Sequence, residues 1–225
     1  DLYQIHRWDP ATSDEETLAA LTDLQRTGKI RYFGTSTFPA YRLVQAQWAA
    51  RDNHLGRYVT EQPNYSLLQR GVERDVLPVA EQYRLGVLVW SPLCSGWLTG
   101  AIRADREITT NRSALLPHLY DTTLPANRAK LDAVEQLVKI AELAGLSLIE
   151  LALGFVTAHP AVSSALLGPR TLEHLSSQLA AADTVLPSDV LDAIDAVVAP
   201  GVDLAPSEKH DTPPALIEPA LRRRR

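Results

Sequence analysis

Five short clusters carry the side chains with chemical options: His6 with Trp8 and Asp9, Ser36 with Thr37, Gln62 with Asn64 and Tyr65, the run Trp90-Ser91-Pro92-Leu93, and Gly168-Pro169-Arg170. Together they offer an imidazole, a carboxamide, small hydroxyls, a large flat indole and a fixed cation. They contain neither a carboxylate pair nor a clustered set of metal ligands, so hydrolysis by paired acids or by a bound metal has no support. Ser and His both occur, but no GxSxG elbow does. An indole beside hydroxyls and a carboxamide suits a flat heteroaromatic amide, stacked on its face and hydrogen-bonded along its edge. Gly168 ahead of a helix that starts near Thr171, with Arg170 between them, suits a phosphate: free N–H groups, helix dipole and cation converge there.

Groups so far apart in the chain meet only if regular elements bring them to one place. Each cluster lies at the end of a short apolar run: residues 2–6, 29–35, 59–62, 86–90 and 164–168 read as strands. Helical periodicity separates them. Ser13 stands three residues before Glu16 in capping-box spacing and opens a helix that stops near Gly28; further helices cover 39–51, 72–83, 128–143, 147–158 and 171–182. A last amphipathic helix opens at Pro187 and Ser188, and residues 101–125 read as a long polar loop. Strand–helix alternation repeated five times implies parallel strands with right-handed crossovers. An open doubly wound sheet and a closed barrel both satisfy that pattern, although no strand is followed by the GxGxxG of the open dinucleotide-binding sheet.

Composition bounds the rest. The chain has 225 residues, 45% of them apolar, with 22 Lys+Arg against 27 Asp+Glu and a formal charge of −5. That excludes a disordered chain, a collagen-like repeat and a disulfide mini-protein, and gives no global electrostatic reason to bind nucleic acid. The single cysteine, Cys94, cannot form an internal disulfide, which favours a reducing, cytoplasmic compartment. The longest apolar stretch, 143–158, contains Glu150 and is shorter than the roughly 20 residues of a membrane span. The chain has no Met, begins inside a strand and shows no secretory signal, so the first residue is expected to be a cut.

In order and spacing, five pieces resemble the aldo-keto reductases, in particular their potassium-channel β-subunit-like branch: 1–9 (DLYQIHRWD), 34–38 (GTSTF), 61–66 (EQPNYS), 90–100 (WSPLCSGWLTG) and 167–171 (LGPRT). The resemblance runs from about residue 1 to about residue 198. It implies a (β/α)8 TIM barrel, of which about five βα units are present, and NADPH-dependent reduction of an aldehyde or ketone. It implies that His6 is the active-site histidine that orients or polarises the carbonyl. It also implies that Ser36 and Gln62 hold the nicotinamide carboxamide, with Thr37 where an asparagine is common. Trp90 then lies under the ring, and Ser91, Pro92, Leu93 and Ser95 line the pyrophosphate. Gly168 and Arg170 take the adenosine 2′-phosphate, and Gln178 lies on the adenine side with His174 and Ser177, a departure from the family's Gln, Glu and Asn. The family's catalytic aspartate, tyrosine and lysine precede the segment matching Asp1, and no tyrosine of this chain takes the proton-donating role.

Several residues have plainer readings. Cys94 is a small buried residue, and His54, His118, His159 and His210 lack metal-ligand spacing, so no metal is expected. Residues 199–225, with their prolines and the arginines at 222–225, read as a mobile tail behind a partial barrel over 1–198. The expected partner is a small carbonyl substrate, with neither nucleic acid nor membrane. The alternative to an enzyme is a non-catalytic nucleotide-binding or regulatory module built from the same barrel.

Overall fold

The computed structural model describes residues 1–204 and 218–223. Five strands form one sheet: β1 (Leu2–Ile5), β2 (Tyr32–Ser36), β3 (Thr60–Gln62), β4 (Gly86–Val89) and β5 (Val162–Ala165). Every pairing is parallel, and each strand pairs with the next in the chain. A doubly wound sheet reverses its strand order at a switch point. This order never reverses, so crossovers of one hand gather the helices on one face.

The helices are α1 (Asp14–Arg26), α2 (Ala40–Asp52), α3 (Val76–Tyr83), α4 (Asn111–Leu115), α5 (Pro125–Leu143), α6 (Leu148–Ala158), α7 (Leu172–Leu179) and α8 (Ser188–Val197). Local chemistry sets their ends. The Ser13 hydroxyl accepts the Glu16 N–H at 3.1 Å, three acids fill the first turn of α1, and Gly28 takes φ +73° just past its last turn. A reciprocal capping box between Ser147 and Glu150 opens α6, whose buried residues leave it enclosed by the fold. No single helix among the described residues is long and apolar enough to cross a membrane; α5 and α6 pass such a test only as a pair bent by 92°.

Several elements differ from the sequence reading; β2 begins at Tyr32 and α5 at Pro125, three residues later and three earlier than expected. The loop expected over 101–125 contains α4, opened by a box between Thr110 and Ser113, and a 3-10 turn at Pro117–Leu119. Strand β5 lies two residues earlier than its apolar run, because its pairing follows β4 and ends with it: Val89 pairs Ala165, and Leu166 N–H then donates to Val89 O at 2.8 Å. Leu166 and Leu167 are therefore exposed. The first turn of the helix expected at 72–83 is a separate 3-10 turn, Gly71–Arg74, after which α3 begins at Val76.

Strand alternation gives the sheet two unlike faces. Phe33 packs with Leu18, Leu21, Ala46, Ala50 and Tyr58 against α1 and α2, while Val87 and Val89 join the larger core around Leu77, Leu137, Leu151 and Val156. The opposite face carries Gly34, Thr60, Gly86 and Ser163 side by side. β1 and β5 each pair with one neighbour, and exposed apolar side chains lie along both edges, Leu2 and Tyr3 on one and Leu166 and Leu167 on the other.

The far end of the chain is tied down by Arg70, which is 4% exposed. Its guanidinium donates to Glu73 Oε1 (2.8 Å), Asp195 Oδ1 (2.7 Å) and Val198 O (2.6 Å), and lies 4.9 Å from the Phe155 ring centre. Gly71 N–H donates to Asp203 Oδ1 at 2.6 Å, and Leu204 N–H to Leu68 O at 3.0 Å. The tail expected from residue 199 is thus docked as far as Leu204. Residues 205–217 and 224–225, with His210 and the last two arginines, lie outside the described residues.

A Cβ at Gly34 would fall 2.6 Å from the Thr60 backbone oxygen and closer still to its hydroxyl. Gly34→Ala must therefore push β2 from β3, at a cost of about 1–3 kcal/mol. A melting temperature lower by several degrees is expected; an unchanged melt would contradict the β2–β3 packing.

Candidate functional site

The C-terminal ends of five parallel strands share one rim of the sheet, and the clusters singled out in the sequence sit on it. Register sets Ser36 opposite Gln62. The Ser36 hydroxyl, 5% exposed, donates to Gln62 O at 3.1 Å, and the Thr37 N–H reaches the same oxygen at 3.1 Å. Thr37 takes φ +58°, an uncommon value for a β-branched residue and a mark of a turn held by its surroundings. One strand further on, Trp90 N–H donates to Pro63 O at 3.0 Å, and Trp90 bridges to Asn64. Hydroxyl, carboxamide and indole thus stand on three successive strand ends.

Two residues that the sequence does not single out orient this row. Gln62 Nε2 donates to Gln4 Oε1 at 2.8 Å, and Gln4 Nε2 donates to Thr35 O at 3.2 Å, so the Gln62 carboxamide is held by β1 as well as β3. Arg7 Nη1 donates to His6 O at 2.5 Å and to Ser36 Oγ at 3.4 Å, coupling the histidine's backbone to the serine. His6 itself is exposed, one residue beyond β1.

The loop after His6 is pinned from the helix layer. The Arg42 guanidinium lies 4.3 Å from the Trp8 ring centre and donates to Asp14 Oδ1 at 3.1 Å, both partners being mostly buried. Burial raises the proton affinity of Asp14, and the Arg42 charge opposes it. Asp9 moves the other way: the Ala11 N–H and the Thr12 hydroxyl hold its carboxyl below the usual range.

After Trp90 the chain coils tightly. Ser91, Cys94 and Ser95 all have positive φ, as do Gly96 and Gly100. Ser95 N–H donates to Ser91 Oγ at 3.1 Å, and Cys94 N–H to Ser91 O at 2.8 Å. A left-handed residue at 91 and three in succession at 94–96 curl the backbone into a tight turn, with the Ser91 and Ser95 hydroxyls on it. The turn rests on Tyr120, whose hydroxyl donates to Ser95 O at 2.6 Å and whose ring stacks on Trp97 at 5.8 Å. Beneath them lies the fully buried Lys130, its ammonium 4.5 Å from the Trp97 ring centre. Pro92 and Cys94 are buried in this coil, while Leu93 and Ser95 are half-buried.

The last cluster follows β5. Gly168 is exposed, with nothing within 4 Å of where a Cβ would stand. With the Asn111 amide oxygen turned toward it, Arg170 Nη2 donates at 3.0 Å, so α4 lies beside this cation. Thr171 caps α7 by accepting the His174 N–H at 3.2 Å, and Ser177 Oγ donates to His174 O at 3.0 Å. Gln178, 9% exposed, buries its Oε1 without a partner, and Asn64 Oδ1 is buried in the same way. Each leaves an acceptor open to water or a ligand. An amide-bearing dinucleotide suits this donor and acceptor set: hydroxyl and carboxamide at Ser36 and Gln62, the serine hydroxyls of the coil at 91–95, and an open acceptor at Gln178.

The chain belongs to the aldo/keto reductase family, whose model matches residues 1–199. It is 34% identical over 216 residues to Uncharacterized oxidoreductase YrpG of Bacillus subtilis, covering 96% of this chain and 61% of that protein. It is 34% identical over 205 residues to "Putative voltage-gated potassium channel subunit beta" of Schizosaccharomyces pombe, covering 88% of this chain and 59% of that one. Protein tas of Escherichia coli is 34% identical over 214 residues, with 88% and 61% covered. The chain therefore spans about three-fifths of the length of these relatives.

Removing the Tyr120 hydroxyl deprives Ser95 O of its donor in a part-buried site, so Tyr120→Phe should cost about 1 kcal/mol. Urea unfolding reads this as an earlier midpoint with an unchanged slope; no shift would mean that the coil does not lean on Tyr120.

Proposed function

We propose that this chain provides the cofactor-binding side of an NADPH-dependent oxidoreductase that takes a small aldehyde or ketone to its alcohol. The observation that carries the reading is the row of Ser36, Gln62 and Trp90 on adjacent strand ends, next to His6. Family membership and the oxidoreductase name of the Bacillus relative support the class of reaction. In this reading the five strands are a contiguous sector of a (β/α)8 barrel, and the exposed edges at β1 and β5 are where further strands pair.

When bound, NADPH supplies the hydride. Ser36 and Gln62 hold the carboxamide and so fix which face of the nicotinamide is turned to the substrate, with Trp90 excluding water from the other. Ser91, Pro92, Leu93 and Ser95 cradle the pyrophosphate. Arg170, with Gly168 leaving room beside it, meets the 2′-phosphate, and Gln178 takes the adenine side. His6 donates a hydrogen bond to the carbonyl oxygen and orients it. The proton for that oxygen comes from the family's tyrosine, on strands that precede the segment matching Asp1. The buried thiol of Cys94 suits a reducing, cytoplasmic setting.

A second reading, a nucleotide-binding regulatory subunit without turnover, is favoured by the potassium-channel relative, which covers most of this chain. Titration of the chain with NADPH, followed by tryptophan fluorescence, tests both. Saturable binding is expected, weakened about tenfold by Ser36→Ala or by Gln62→Ala, each of which removes one carboxamide partner. Arg170→Ala should weaken NADPH by about the same factor and leave NADH unaffected. Binding that persists in a longer natural chain which reduces no aldehyde selects the regulatory subunit. No binding of either nucleotide overturns both readings.

A further inference from the structure

Glu61 is a fully buried carboxylate, 0% exposed, to which the reading above gives no task. It lies in β3 beside Gln62 but faces the helix layer. Its two oxygens accept from the Thr35 hydroxyl in a short bond and from the Phe38 N–H at 3.2 Å. These donors flank Ser36 and Thr37, so one carboxylate holds both ends of the left-handed turn that presents the serine. Thr35 Oγ1 also stands 3.3 Å from Thr60 O, a second acceptor for its hydrogen. The charged side chain that acts on Glu61 is Arg7, from the loop after β1; its other partners, Thr35, Thr37 and Phe38, are uncharged. Burial drives its proton affinity up, against those hydrogen bonds and the Arg7 charge, and its pKa is pushed up to about 7.

We propose that Glu61 is a positioning residue: its ionised form clamps the Ser36–Thr37 turn, and its protonation loosens that turn and weakens the grip on the nicotinamide carboxamide. The carboxamide part rests on the cofactor reading above; the clamp itself does not. In the ionised state Thr35 O–H and Phe38 N–H both donate to a full negative charge. On protonation the acid's hydrogen goes to Thr35 Oγ1, the threonine turns its own to Thr60 O, and Phe38 N–H is left on a neutral oxygen. A hydrogen bond to an ionised acceptor is roughly twice as strong as one to a neutral acceptor. The folded carboxyl binds its proton more tightly than in the unfolded chain, where the pKa is about 4.5. Folded-state stability therefore falls as pH rises from about 4.5 through about 7, while the turn becomes better ordered.

Glu61→Gln keeps an acceptor for Phe38 and an N–H for Thr35, and so imitates the protonated acid at every pH. Two measurements on the 225-residue chain compare it with the wild type. In amide hydrogen exchange without ligand, wild-type protection at Phe38 should rise about fivefold between about pH 6 and about pH 8, while the variant stays at the low value. The affinity for NADH, whose phosphates do not titrate there, should improve about fivefold over the same interval in the wild type and stay flat in the variant. Every other group is common to both chains, so their difference isolates Glu61. Thr35→Val removes one donor to the carboxylate and should move both midpoints to higher pH. Equal Phe38 protection in wild type and Glu61→Gln at the higher pH overturns the clamp. A pH slope for NADH retained in Glu61→Gln overturns the link to affinity. If the wild type binds no nucleotide, the cofactor reading falls, and the exchange comparison alone decides the clamp.

Discussion

The backbone bonds between β2 and β3 pair Thr35 with Glu61 and Ser36 with Gln62. A slip of one residue would send Glu61 to the open face and bury Gln62 among the helices, since successive strand residues point to opposite sides. That register makes the rim usable. It sets a hydroxyl beside a carboxamide on the face that meets ligand, and a hydroxyl beside a carboxylate on the face that does not. Close approach of the strands at Gly34 and Thr60, where a Cβ on Gly34 would run into Thr60, helps to keep the register from drifting.

The same alternation divides labour through the sheet. Phe33, Val87 and Val89 tie the strands to the helices through apolar packing. Their neighbours on the other face are small or polar: Gly34, Thr60, Gly86 and Ser163. Polar groups at the rim are steadied by a second tier whose partners come from other elements. Gln4 steadies Gln62, Arg7 steadies Ser36, Arg42 grips Trp8, and Tyr120 supports Ser95. Side chains fixed in this way present their hydrogen-bonding groups without first having to order them, which is what makes a site selective.

How much of this was legible in the sequence depended on the range of the interaction. Strands β1 to β4 were visible as apolar runs, and the start of α6 as Ser147 ahead of Glu150, because each signal lies within a few residues. The five clusters expected at strand ends do meet on one rim, since parallel pairing leaves them no other place. β5 was displaced because its limits come from β4 and not from its own leucines. Helix α4 was overlooked because Thr110 and Ser113 form a weaker box than the Ser–Glu pair, in a polar stretch without apolar periodicity. Glu61, Gln4 and Arg70 could not be read at all. A lone charged or polar residue in a strand looks the same whether it faces water or a partner 26, 58 or 125 positions away.

The Arg70 anchor has a kinetic meaning. Its bonds to Asp195 and Val198 span 125 and 128 residues, and Gly71 reaches Asp203 across 132. Contacts of such sequence separation form only after the intervening units have collapsed, because the loop they close must be ordered first. An anchor that forms only past the folding barrier leaves the folding rate nearly untouched and slows the escape from the native state. Arg70 has the geometry of a latch, fastening the middle of the chain to its far end.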